Sequence, residues 1–319
     1  MLAIALSQLL NASIEVVDCR PLGGGCISDV SLVSIRCAEI HGADIRSGDG
    51  NLAKSFSQQS RGNRQIQVVV KQHVAEMAAN FRAESGGLSA LAMQDTIRVP
   101  QVYADGVVDG RAYLVMQWIP NAQGNSADDR FQRFGQQLAQ LHQVSAGQQI
   151  GWDEDNFLGS ARQPNGATKN WIEFVATRRI GFQLRWAVDQ GLADAALRSR
   201  CEQIVTQLDN LLQGRDDQTS MIHGDLWSGN YLFDDQDQPV LIDPAVYRGC
   251  REAEWGMIRW MGNCPAEFER GYQSQWPLAD GWQRRATVYM LYHQLNHLNL
   301  FGSGYLDVCR RTADQILRV

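Results

Sequence analysis

The 319-residue chain is predicted to be an α+β protein of two lobes, the first β-rich and the second mainly helical. Two patterns carry that expectation. Short β-branched runs separated by Gly, Asn and Asp turns fill the segment before Pro120, and long stretches of helical composition dominate after it. A third observation is the balance of 44% hydrophobic and 20% charged residues, which supports a sizeable packed core and argues against global disorder.

Met1 to Leu10 is apolar, lacks the Lys or Arg of a leader sequence and contains Ser7 and Gln8, so it reads as an amphipathic first helix. Glu15 to Cys19 follows as a short strand, and Val30 to Ala38 alternates as a second. His41 to Arg64 is rich in Gly, Ser, Asn, Asp and Gln and reads as a flexible insertion at 41–64. Ile66 to Val70 is a β-branched strand ending at Lys71, and Ala75 to Met93 is helical. Val102–Val108 and Arg111–Ile119 flank a Val108-Asp109-Gly110 turn. The boundary near Trp118 to Gln123 divides an N-terminal lobe, 1–118, from a C-terminal lobe, 119–319. Helices are expected over Asp128–Gln143, Asn170–Gln190 and Leu192–Leu212, a short β-rich stretch over Met221–Asp243, and an aromatic helical tail over Trp276–Leu317.

The net charge of -6 disfavours a nucleic-acid partner. No apolar run approaches the roughly 20 residues of a membrane helix. Seven cysteines without a C-x-x-C pair fit reduced thiols in a cytoplasm better than disulfides or a zinc site. A monomer and a homodimer are both open.

The segment with most chemistry is His223-Gly224-Asp225-Leu226-Trp227-Ser228-Gly229-Asn230, followed by Val240-Leu241-Ile242-Asp243-Pro244. Apolar residues precede both, so each carboxylate would emerge where a short buried strand ends. Phosphoryl transfer needs such a set: one carboxylate to take the proton of the attacking hydroxyl, and an amide and a second carboxylate to hold Mg²⁺ against nucleotide phosphates. Asp225 and Asn230 are five residues apart, the offset of the Asp and Asn in the protein-kinase catalytic loop, and Asp243 supplies the second carboxylate.

Other parts fall in the order that chemistry requires. Gly23-Gly24-Gly25-Cys26-Ile27-Ser28 lies between the first two strands, where glycines admit phosphate oxygens to backbone N–H groups; it reads equally as a plain hairpin turn. Lys71 is placed to hold α- and β-phosphates, with Glu84 on the next helix as its ion-pair partner and Glu76 as a rival. Met116-Gln117-Trp118-Ile119 would join the lobes and meet the adenine. Cys26 is a small residue that fits its turn or a redox-sensitive thiol; the second reading requires activity to differ between oxidising and reducing buffers. His223 reads as a brace for the loop.

The Gly-Gly-Gly-Cys-Ile-Ser turn, the His223–Asn230 run and Ile242-Asp243-Pro244-Ala245 resemble the fructosamine kinase, or ketosamine 3-kinase, family. The resemblance extends to Asp155-Asn156-Phe157-Leu158-Gly159, Gln163-Pro164-Asn165, Trp171 and the Leu291–Gly302 stretch, and so spans nearly the whole chain. It implies a protein-kinase-like fold with ATP and Mg²⁺ bound between the lobes. It also implies phosphorylation of the 3-hydroxyl of a ketoamine, a deglycation activity. Trp227, Asn165 and Trp171 are candidate substrate residues, with core packing or capping as their alternatives. The chain departs from the family at Glu254, where Asp is usual, at Cys250, where His is frequent, and in the length of 41–64. Another hydroxyl kinase, acting on aminoglycosides or choline, and a non-catalytic nucleotide-binding protein are the competing functions.

Overall fold

The computed structural model describes residues 1–23, 28–40, 65–121 and 127–318. Its contacts divide into two units, Met1–Ala90 with Val99–Asn121, and Leu91–Arg98 with Ala122–Val319. The first unit contains α1 (Leu2–Leu10), β1 (Ala12–Pro21), β2 (Asp29–Ile40), β3 (Gln65–Val74), α2 (Ala78–Ala92) as far as Ala90, β4 (Val102–Val108) and β5 (Arg111–Gln117). The strands form one sheet in the order β1-β2-β3-β5-β4, with every adjacent pair antiparallel.

The sheet explains why β5 is apolar at successive positions. Ala112, Leu114 and Met116 pack with Phe81 and Leu88 of α2, while Tyr113 and Val115 pack with Ala5 and Leu6 of α1. An inner strand covered on both faces has no polar side to present. The same pairing corrects one sequence expectation. β3 does not stop at Lys71 but runs to Val74, because β5 supplies partners from Lys71↔Leu114 to Val74↔Arg111. The Leu22 N–H donates to the Val30 carbonyl at 2.8 Å and closes the base of the first turn. Gly24, Gly25, Cys26 and the 41–64 segment lie outside the described residues.

The second unit runs through α3 (Ala127–Val144), the hairpin β6–β7 (Asn156–Leu158 and Ala161–Gln163), α4 (Trp171–Phe174), α5 (Gly181–Asp189), α6 (Ala195–Thr206) and α7 (Leu208–Leu211). Then come β8 (Ser220–Ile222), the hairpin β9–β10 (Tyr231–Phe233 and Pro239–Leu241), β11 (Tyr247–Gly249), α8 (Glu254–Met261), α9 (Ala266–Gln275), α10 (Trp282–Phe301) and α11 (Leu306–Leu317). β8 pairs antiparallel with β11. α10 is the central helix. Its Leu291, Leu295 and Leu298 join Leu197, Ile204 and Ile222 in one core, which is why this helix carries few charges.

Between α4 and α5 the chain winds as a π turn over Val175–Ile180, and the Gly181 N–H reaches back five residues to the Ala176 carbonyl. The buried positions step from Phe174 and Val175 to Arg179 and Ile180, a stride of five where an α-helix would stride three or four. Arg179 therefore enters the interior. No helix among the described residues is long and apolar enough to cross a membrane.

α3 and α9 cross at two glycines. A Cβ on Gly135 would stand 2.0 Å from the Phe268 carbonyl oxygen, and one on Gly271 would stand 2.0 Å from that of Gln132. Backbone cannot yield as a side-chain tip can. Gly135→Ala should therefore lower unfolding free energy by about 1–3 kcal/mol, the usual cost of overpacking. Gly86→Ala, with open space around an exposed helical position, should raise it by about 0.5–1 kcal/mol. Chemical denaturation of the two variants beside the parent protein checks both signs.

Candidate active site

β8 leads directly into His223, Gly224 and Asp225. The turn they form cannot satisfy its own backbone donors, and Glu254 at the start of α8 does so. Its carboxylate accepts the His223 N–H at 2.5 Å and the Gly224 N–H at 3.0 Å. Gly224 has φ +82°, and a Cβ there would meet the Ala245 carbonyl oxygen at 2.2 Å. The residue before Asp225 thus has no room for a side chain.

His223 ties the two acidic segments together. Its Nε2 lies 2.9 Å from the Ile242 carbonyl, and its own carbonyl accepts the Ala245 N–H at 2.9 Å. A carbonyl only accepts, so Nε2 carries the proton and Nδ1 is left to accept the Asp225 N–H at 3.3 Å. Burial lowers the His223 pKa and keeps the ring in that neutral form. The loop is pinned further by Ser228 N–H to the Met261 carbonyl at 3.0 Å and Asn230 N–H to the Trp227 carbonyl at 2.9 Å.

Asp225, Asn230 and Asp243 come together on this frame. The Asn230 Nδ2 donates to the Asp225 carbonyl at 2.9 Å, to Asp225 Oδ2 at 3.2 Å and to the Asp243 carbonyl at 3.4 Å. With the nitrogen so committed, the amide oxygen is the atom that suits a hard cation. Asp243 stands at φ +54°, in the left-handed region that Asp and Asn enter more readily than other non-glycine residues. Burial first, then the Asp243 and Glu254 carboxylates, push the Asp225 pKa up to about 7, against the pull of the Asn230 amide.

In the first unit Lys71 and Glu84 meet at 2.7 Å, with side chains only 8% and 14% exposed. Glu76, the rival partner, is exposed in the turn before α2. Gly23 and Ser28 flank the part of the glycine turn that lies outside the described residues. Met116 and Ile119 are buried, and the Gln117 N–H already donates to the Gln101 carbonyl at 2.8 Å.

Two of the candidate substrate residues lie inside the fold. Trp171 is 5% exposed, its ring is stacked on Phe174 at 5.3 Å, and its Nε1 donates to the Tyr289 hydroxyl at 2.9 Å. Asn165 is fully buried and accepts from Arg179 Nη2 at 2.7 Å. Both are interior residues, because the π turn and α10 close over them. Trp227 remains half-buried, and its ring covers Gly229 so closely that a Cβ there would meet it at 2.4 Å. Arg179 escaped the sequence reading, since a helix of regular pitch directs Arg178 inward in its place.

Glu254→Gln keeps the side-chain size but sets an amide donor against one of the two backbone N–H groups. Loss of a buried acceptor should cost about 1–3 kcal/mol of stability. Turnover should fall with it, while Glu254→Asp, which retains both acceptor oxygens, should keep more of each. Denaturant midpoints and turnover numbers for the pair check this.

The fructosamine kinase family's sequence profile matches residues 35–319. A probable ketoamine kinase from Synechocystis sp. is 40% identical over 252 residues, covering 78% of this chain and 83% of that one. A chloroplastic protein-ribulosamine 3-kinase from Arabidopsis thaliana is 36% identical over 245 residues, covering 76% and 73%. A crystal structure of a Thermobifida fusca protein assigned as a fructosamine-3-kinase superposes with a TM-score of 0.77 at 28% identity, covering 99% and 98%. An aminoglycoside phosphotransferase in complex with ADP and hygromycin B, at 16% identity and a TM-score of 0.63 over 99% and 97%, shares the kinase-like fold. A profile match over most of the chain and relatives above 30% identity along most of both partners lead to one conclusion: the chain belongs to the fructosamine kinase family.

Proposed function

We propose that the protein transfers the γ-phosphoryl group of ATP to the 3-hydroxyl of a ketoamine, a sugar joined to an amine as in fructosamines and ribulosamines. The observation that carries this reading is the Asn230 amide, which draws Asp225 and Asp243 into one constellation. The names of the ketoamine kinase and ribulosamine 3-kinase relatives support the substrate class.

Asp225 is the group that accepts the hydroxyl proton. A base whose pKa lies near 7 is ionised often enough to act and basic enough to hold the proton. Asn230 and Asp243 offer oxygen atoms to Mg²⁺, which takes few protein ligands when phosphates supply the rest. Lys71, held by Glu84, offers its ammonium group to nucleotide phosphates. ATP supplies the transferred group, and this chain's part is positioning and charge stabilisation. Trp227 offers a flat apolar surface to the sugar. Cys201, Cys250 and Cys309 are free cysteines, which fits a reducing compartment such as the cytoplasm, and burial pushes their thiol pKa values up to about 12, which keeps them protonated.

Turnover of fructose-, ribulose- and erythrulose-lysine adducts, with an aminoglycoside and choline as controls, tests the substrate class. Ketoamine-dependent ATP consumption is expected; activity on a control alone would overturn the reading. Asp225→Asn should lower turnover by about 10²–10⁴-fold and leave nucleotide binding in place.

The same variant has a second signature. The Asp225 carboxyl is held at about 7 against an ordinary 3.8, so between those values the folded protein keeps a proton that the unfolded chain releases. Its contribution to stability is therefore lost as pH rises through that window. Asp225→Asn should melt higher than the parent above about pH 7 and lose that advantage near pH 4. Thermal unfolding across that range reads the difference directly.

A further inference from the structure

Four buried polar side chains lie behind the Asp243 segment. Asn156 and Arg179 are 5% and 2% exposed, and Gln163 and Asn165 are fully buried. Arg179 Nη2 donates to Asn165 Oδ1 at 2.7 Å. Asn165 Nδ2 donates to Asn156 Oδ1 at 2.8 Å. Asn156 Nδ2 donates to the Val246 carbonyl at 2.7 Å. Gln163 Nε2 donates both to Asn156 Oδ1 at 2.7 Å and to the Ala245 carbonyl at 3.0 Å, while its Oε1 accepts from the Tyr292 hydroxyl at 2.8 Å.

This chain of amides has only one direction. A guanidinium donates and cannot accept, and a backbone carbonyl accepts and cannot donate. With Arg179 at one end and the Ala245 and Val246 carbonyls at the other, each amide between them has a single workable orientation. Flipping any one would set donor against donor or acceptor against acceptor in a site without solvent to compensate. The guanidinium is itself fixed: Nη1 donates to the Pro164 carbonyl at 2.6 Å, and the plane lies 4.0 Å from the Tyr247 ring centre and 4.4 Å from that of Phe174.

Both receiving carbonyls follow Asp243 by two and three residues. Asp243 stands in the left-handed region, which Asp visits more readily than most side chains do, so the direction of its carboxylate is set by how the backbone on either side is held. Upstream, Ile242 is bonded to Asn230 and His223. Downstream, the relay grips two successive carbonyls.

We propose that Asn156, Gln163, Asn165 and Arg179 are positioning residues that hold the backbone after Asp243 and thereby aim its carboxylate. This rests on the reading of Asp243 as a metal ligand, and it gives Asn165 a task that needs no contact with substrate.

The test uses the full chain with ADP and Mn²⁺ as the probe. Gln163→Met removes the amide at similar length, and Arg179→Met removes the donor that sets the direction. Arg179→Lys keeps a cationic donor. The Mn²⁺ dissociation constant in the nucleotide complex should rise about 10–100-fold in the two Met variants, the usual effect of losing a partner behind a metal ligand. Arg179→Lys should recover part of it. Hydrogen exchange at Ala245 to Tyr247 should quicken in step. Gly135→Ala serves as the control, destabilised yet binding Mn²⁺ as the parent does. Met variants that melt lower while Mn²⁺ affinity and exchange at Ala245 stay at parent values would overturn the relay. Asp243→Asn runs beside them: unchanged Mn²⁺ affinity there would remove the metal assignment, and the relay's purpose with it.

Discussion

Two adjacent backbone donors, the N–H groups of His223 and Gly224, converge on one buried carboxylate, and the order of the catalytic segment follows from that convergence. Left unpaired, each would cost stability, and the turn would open toward any other acceptor. Glu254 holds both because α8 begins at this residue, where the helix's own N–H groups favour negative charge. The helix is in turn fixed by Glu252, which pairs with Arg285 of α10 through contacts of 2.6 and 2.7 Å, both residues being buried. A pair so deep adds little net stability, since desolvation offsets the attraction, but it leaves one seating for the helix. Glu254 reaches both donors, one with each carboxylate oxygen.

The site accepts a cost in return. Asp225 faces the Asp243 and Glu254 carboxylates in poorly solvated surroundings, and only the Asn230 amide works in its favour. That tension suits the carboxyl to the base role proposed for it and makes it an uncomfortable neighbour in the folded protein. Asp243 adds a left-handed backbone turn to the same few residues. The surrounding framework of glycines, buried ion pairs and amides serves to hold what would relax if left alone.

What the sequence made legible follows the range of the interactions involved. β2 and β5 were readable because β-branched alternation is local. The five-residue spacing of Asp225 and Asn230 was readable because one loop carries both. Lys71 with Glu84 needed only a strand and the helix after it, although the choice against Glu76 needed coordinates. β3 was cut short because its last residues owe their conformation to β5, some forty positions away. The burial of Trp171 is not legible because Tyr247 and Tyr289 come from segments far along the chain, and that of Asn165 because Arg179 reaches it only through the π turn. The amide relay was hidden for the same reason: Gln163 and the carbonyl it holds are 82 residues apart.

The π turn at Val175–Ile180 bears on how this stretch of chain can change length. It carries the equivalent of one residue more than an α-helix needs, and the wide turn absorbs that residue. Removing one there would let the helix close to regular pitch with α4 and α5 still in register, whereas removing one from a regular helix turns its two halves by about 100° against each other. The core residues of α4 and those of α5 would both still face inward, and the arginine would take the inward position that regular pitch gives to residue 178. The stretch from Asn165 to Arg179 can therefore lose one residue at the π turn and still seat its arginine.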